Sequence, residues 1–153
     1  MKKEKQFVQA IFCAPTGRYA DKPYPSRLTD EVFSALAEIG INRIFAFGYD
    51  GRKETAESTF NLCEKYDMLY YPTPVTANEY TRILPGKNGE KPFSELTETE
   101  VMELDQKFIR EIEPMTKREA FGGIFFSDEK GYLAFEGIAH AKKVFDENGN
   151  EVE

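Results

Sequence analysis

The sequence predicts an α/β fold with a parallel sheet, and three observations carry that prediction. Strand-like and helix-like segments alternate, giving four βα units in 153 residues. The helix-to-strand connections, at Gly40, Asp67 and Phe121, are minimal, whereas two of the strand-to-helix loops are long. The stretch Gly122-Gly-Ile-Phe-Phe-Ser-Asp-Glu129 reads as a doubly buried strand, Gly123 to Ser127, that ends abruptly in two acids. Crossovers of this kind imply parallel pairing. Loops gathered at one end put a site at the C-terminal ends of the strands. The length suits one domain over residues 1–153.

In chain order, Phe7 to Cys13 is the first strand, and Ala14 to Arg27, with three prolines and a glycine, is a long loop. Thr29 caps a helix with Asp30 and Glu31 in its first turn and Val32, Leu36 and Ile39 on one face; Gly40 is its C′ stop. Ile41 to Gly48 is the second strand, followed by the turn Tyr49-Asp50-Gly51. A helix from Lys53 to Tyr66 aligns Ala56, Phe60, Cys63 and Tyr66. Met68 begins the third strand, which becomes irregular at Pro72 and Pro74. Thr76 to Leu96 is a loop of a length usually reserved for function. Thr97-Glu-Thr-Glu100 is a capping box opening a helix striped by Val101, Leu104, Phe108, Ile112 and Met115, which Pro114 should kink or end near Glu113. After the acid-tipped strand, Tyr132 to Asp146 forms a fourth helix with Ala134, Ile138, Ala141 and Phe145 aligned.

A net charge of −7 and a pI near 4.9 leave no basic face for nucleic acid or an anionic membrane. No apolar run approaches the roughly 20 residues that span a bilayer. Met1-Lys-Lys-Glu-Lys5 before an apolar stretch has the look of a signal peptide, but the apolar part is short, carries Gln9 and makes a good strand. Cys13 and Cys63 have neither disulfide nor metal spacing, so the expected setting is cytoplasmic and reduced, with secretion left open.

Several of these residues resemble a family. Leu28-Thr-Asp-Glu-Val-Phe-Ser-Ala-Leu-Ala-Glu-Ile-Gly-Ile-Asn-Arg-Ile44 is similar to the first helix and second strand of (β/α)8 glycoside hydrolases. Glu54 to Leu69 looks like their next unit, and Gly122 to Glu129 with Phe135 to Phe145 looks like their fourth, where the strand commonly ends in Asn-Glu or Asp-Glu. The resemblance implies half of a TIM (β/α)8 barrel, units 1–4. In the retaining clan it implies the acid/base carboxylate at the position of Glu129. Lys130 stands where that family often has proline, and no strand seven is present to supply the nucleophile. The expectation is therefore an N-terminal half-barrel that is inactive alone, needing a C-terminal half or a homo-oligomer. Its uncovered edges and apolar face would favour self-association.

The chemistry agrees with that gap, because glycosidic cleavage needs two carboxylates about 5–9.5 Å apart across the bond. Asp128 and Glu129 are adjacent and point to opposite faces of a strand. Read alone, Asp128 is a helix cap and Glu129 a first-turn acid. Asp50, after the second strand, is a second carboxylate at the same end, although Asp-Gly is also an ordinary turn. Tyr19, Tyr24, Tyr49, Tyr80 and Phe93 fall in or beside the loops, where exposed rings stack on sugar faces as readily as they pack locally. Arg18 and Arg82 can donate to substrate hydroxyls or carboxylates, or simply be solvated. His140 lies in the fourth helix, away from the strand ends, as a surface or packing residue. No glycine-rich phosphate loop follows a strand, so nucleotide binding has no support and no cofactor is expected. Three alternatives remain: a sugar isomerase or epimerase barrel with a divalent metal on strand-end acids, weakened by the single histidine; a non-catalytic sugar-binding or assembling half-barrel; and a flavodoxin-like open α/β sheet. Helices on one face of the sheet mean a half-barrel, and helices on both faces mean the open sheet.

Overall fold

The computed structural model describes residues 8–13, 18–19, 22–23, 28–46, 53–86, 88–126 and 135–141. The chain divides into two compact units, Met1–Thr73 with Lys117–Phe125, and Pro74–Thr116 with Phe126–Glu153.

The first unit is an α/β layer. Strands β1 (Ala10–Cys13), β4 (Arg43–Ala46) and β5 (Leu69–Tyr71) form a parallel sheet in the order β1-β4-β5. Within the expected 14–27 loop, β2 (Arg18–Tyr19) and β3 (Lys22–Pro23) make a short antiparallel ribbon. Helix α1 (Asp30–Glu38) begins where Thr29 Oγ1 accepts the Val32 N–H at 3.4 Å, the cap read from the sequence. Helix α2 (Lys53–Lys65) connects β4 to β5.

The register sets Ile11, Ile44 and Tyr70 in one row and Phe12, Phe45 and Tyr71 in the next. Ile44 and Tyr70 are buried, and Phe60 of α2 meets the Tyr70 ring edge-on at 4.8 Å. Alternation along the strands then turns Phe45 and Tyr71 to the opposite face, where their rings stack at 4.5 Å. Helix α1 lies beside α2 through Lys65 on Asp30 and the Tyr66 hydroxyl on the Asp30 carbonyl. Two successive crossovers stepping the same way with one hand put both helices on the Ile44–Tyr70 face. A flavodoxin-like sheet would have its first strand inside, in the order 2-1-3; here the second parallel strand is the inner one.

The expected fourth strand, Gly123–Ser127, does not form over its described residues. The chain does run parallel to β5 at first: Tyr70 donates to Ala120 O at 2.7 Å, and Gly122 donates to Tyr70 O at 2.9 Å. The next ladder bond would come from residue 72, and proline has no N–H. Gly123 then adopts φ 134°, and Phe125 in place of Ile124 donates to Pro72 O at 2.9 Å, one residue out of step. Gly122 fits only because it has no side chain: a Cβ there would stand 2.6 Å from the Tyr71 ring. Arg118 holds this return by a two-pronged bond to Glu64 at 2.8 and 2.7 Å, with its guanidinium over Phe60.

The second unit is helical. Helix α4 (Glu98–Thr116) is its platform, opened by the expected capping box: Thr97 N–H and Oγ–H donate to Glu100 at 2.8 and 2.9 Å, and Glu100 N–H returns to Thr97 Oγ1 at 3.3 Å. The helix does not end near Glu113 but carries Pro114 inside its last turn, where only one backbone bond is forfeited. The expected 76–96 loop contains a one-turn helix, α3 (Ala77–Tyr80), and a 3-10 turn, Phe93–Glu95. Helix α3 has no side-chain cap of its own; Glu111 of α4 accepts from Val75 N–H at 2.6 Å, Thr76 N–H at 3.0 Å and the Thr76 hydroxyl at 2.5 Å. Helix α5 (Phe135–Ala141) is the described part of the expected fourth helix. Among the described residues no helix is long and apolar enough to cross a membrane.

Candidate functional site

Asp128, Glu129, Tyr24, Tyr49 and Asp50 lie outside the described residues. Arg18 and Tyr19 form β2, where their backbones pair with Pro23 and Lys22. Tyr80, expected as an exposed ring for a sugar face, is fully buried instead, because its hydroxyl has a carboxylate partner inside the second unit. Phe93 packs against it at 5.7 Å.

That partner is Asp105. The Tyr80 hydroxyl donates to Asp105 Oδ1 at 2.7 Å, and His140 Nε2 stands 3.1 and 3.0 Å from the two Asp105 oxygens. The imidazole is stacked against the Tyr80 ring at 6.3 Å and tilted against Phe93 at 5.5 Å. Asp105 is only 8% exposed, yet it is satisfied from two sides. Burial, and then the bond to Asp105, push the Tyr80 phenol well above its ordinary range, so it stays a neutral donor. Nε2 faces the carboxylate, which fixes the orientation of the ring. Gly137 lets α5 come this close: a Cβ there would lie 1.8 Å from the Tyr80 carbonyl oxygen. His140 follows one turn later, over Asp105. The cluster locks α3 and α5 onto α4.

Beside it, the second unit forms an open cleft of about 400 Å³, within the size range of small-molecule sites. Glu100, Glu103 and Lys107 reach it from one face of α4, Glu79 from α3, and Arg82, Glu90 and Lys91 from the segment that follows. Lys91 pairs with Glu100 at 2.6 Å, and Lys107 pairs with Glu79. The Lys91 ammonium and then the Thr97 N–H and hydroxyl hold Glu100 at about 2, far below the ordinary carboxyl value. Asn88 donates to Glu90 from its backbone and side chain, at 3.2 and 3.4 Å. Among the described residues, the Arg82 guanidinium has no hydrogen-bond or ion-pair partner, although it lies near enough to Glu90 to help depress that carboxyl. No group of three or more His, Cys, Asp or Glu among the described residues is arranged for a metal.

Family models, curated proteins and solved structures give no match to this chain.

The structure therefore brings together two residues weighed from the sequence, Tyr80 and His140, through a third that was missed. The signal for Asp105 was present. It sits four residues after Val101 and three before Phe108, an acid on the apolar stripe of α4. Such a residue has to be paired to be buried.

Proposed function

We propose that this chain is a carbohydrate-active α/β protein whose βα units wind as the N-terminal half of a (β/α)8 barrel, with Glu129 as the general acid/base. The observation that carries the reading is the sheet of the first unit: parallel strands in chain order with α1 and α2 on the same face. That winding is the one a barrel half uses, and it differs from the 2-1-3 order of a flavodoxin-like sheet. The return beside β5 supports it too, since residues 120–122 pair parallel with β5 at the fourth-strand position, shortly before Asp128 and Glu129 in the sequence. A general acid there supplies one of the two carboxylates that glycosidic cleavage needs, and the partner comes from another segment or chain.

The test has two parts. Titrating the isotopically labelled chain with glucose and cellobiose should move amides that follow Cys13, Ala46 and Tyr71, together with those around 126–131. Absence of any response, or a response confined to the helical face of the sheet, removes the reading. Where turnover on aryl glycosides is obtained with an added C-terminal half, Glu129→Gln should lower it by about 10²–10⁴-fold on poor leaving groups. Binding without turnover under every condition identifies the non-catalytic sugar-binding form, and near-normal turnover takes Glu129 out of the mechanism.

A further inference from the structure

We propose that the cleft of the second unit binds an acidic sugar of the hexuronic acid class, with the carboxylate on Arg82 and the hydroxyls on the neighbouring glutamates and lysines. The inference rests on the carbohydrate reading above and adds a substrate class and a place for it. Arg82 is the starting point. A guanidinium presents a planar fork that matches a carboxylate with two parallel bonds. The other two cations of the cleft are already engaged, Lys91 by Glu100 and Lys107 by Glu79, whereas Arg82 has no such partner among the described residues.

Charge then narrows the ligand. The lining carries three cations against four carboxylates, so a doubly charged phosphate ester or a polyanion meets more repulsion than a single carboxylate does. A neutral sugar leaves the guanidinium unfilled. A single carboxylate on a polyhydroxylated ring satisfies both sides: the acid takes Arg82, and the hydroxyls donate to carboxylates such as Glu103 or accept from the lysines. Arg82 is also held in place by its own backbone. Phe93 N–H donates to Arg82 O at 2.9 Å, and Arg82 N–H donates to Glu79 O at 3.3 Å. Gly86 N–H donates to Glu90 O at 2.8 Å, which ties Gly86 to Glu90 of the lining. The cleft belongs to the connection between β5 and α4, a strand-to-helix connection of the kind from which α/β enzymes build substrate contacts.

The experiment is a titration of the full chain with glucuronate, glucose and inorganic phosphate, followed by amide shifts and calorimetry. It is repeated on Arg82→Met and Arg82→Lys after an amide spectrum shows each to be folded. Glucuronate should bind about tenfold or more tighter than glucose, the margin of a charge-assisted two-pronged bond, and should move amides of Arg82, Lys91 and Glu103. Arg82→Met should reduce glucuronate to the level of glucose, and Arg82→Lys should recover part of the difference. Phosphate binding as tightly as glucuronate, or Arg82→Met leaving glucuronate affinity within twofold, overturns the proposal. Glucose and glucuronate binding equally near Glu129 overturns it while leaving the carbohydrate reading intact; silence toward both sugars removes both.

Discussion

Gly137→Ala separates two effects of opposite sign. In an ordinary helix the change gains roughly 1 kcal/mol, because alanine is the better helix former. In α5 the new methyl would lie 1.8 Å from the Tyr80 carbonyl oxygen and 3.1 Å from Phe93 Cγ. A carbon needs about 3.3 Å from an oxygen, so α5 has to retreat by about 1.5 Å at that point. His140, one turn along, now holds Asp105 at 3.0 and 3.1 Å. The same retreat carries it beyond hydrogen-bond range, past about 4 Å. Overpacking of this kind costs about 1–3 kcal/mol, and a lost bond to a carboxylate adds about 1.5 kcal/mol or more. The net expectation is a loss of about 1.5–3.5 kcal/mol once the helix-propensity gain is subtracted. Urea unfolding followed by circular dichroism measures it, with Ala139→Gly at an exposed position of α5 reporting helix propensity alone. The chain has a single histidine, so the His140 ring signal is read without ambiguity. A Gly137→Ala protein as stable as the parent, with that signal unmoved, would refute the close approach and the cluster built on it.

Gly122→Ala should lose about 1–3 kcal/mol through overpacking, since its Cβ would press on the Tyr71 ring at 2.6 Å. Combining it with Tyr71→Leu should recover part of the loss, and strict additivity in urea unfolding would show that the ring is not the obstacle. The capping box of α4 should depend on pH. Glu100 is held at about 2, below its ordinary 4.5, so its contribution is complete above pH 4.5 and is lost as the pH falls toward 2. Hydrogen exchange at the Glu100 and Val101 amides should accelerate relative to mid-helix amides across that window, and Glu100→Gln should abolish the pH dependence.

Local signals were legible and non-local ones were not. Thr29 and the Thr97–Glu100 box could be read because a cap is a relation between residues three apart. The parallel pairing of the strands followed from the alternation of elements, whereas their order did not. The fourth strand failed for a reason written in the third: Pro72 removes the donor on which the next ladder bond depends, and that matters only once the two segments lie side by side. Helix α3 went unread within a long polar stretch because four residues carry no periodicity and its cap comes from Glu111, thirty-five residues from Thr76. Asp105 was passed over within an apolar stripe because its partners, Tyr80 and His140, come from α3 and α5.

The way Glu111 holds the entry to α3 bears on the order in which this unit can assemble. A single helical turn fixes several backbone angles for one or two bonds and does not persist by itself. The N–H groups of Val75 and Thr76, which lead into it, are answered only when the fourth turn of α4 exists to present a carboxylate. The turn that carries Tyr80, and through it the start of the segment bearing Arg82, is thus a late event that waits on a helix made further along the chain. Anything that frays α4 at Glu111 releases that turn first, before the strands are touched.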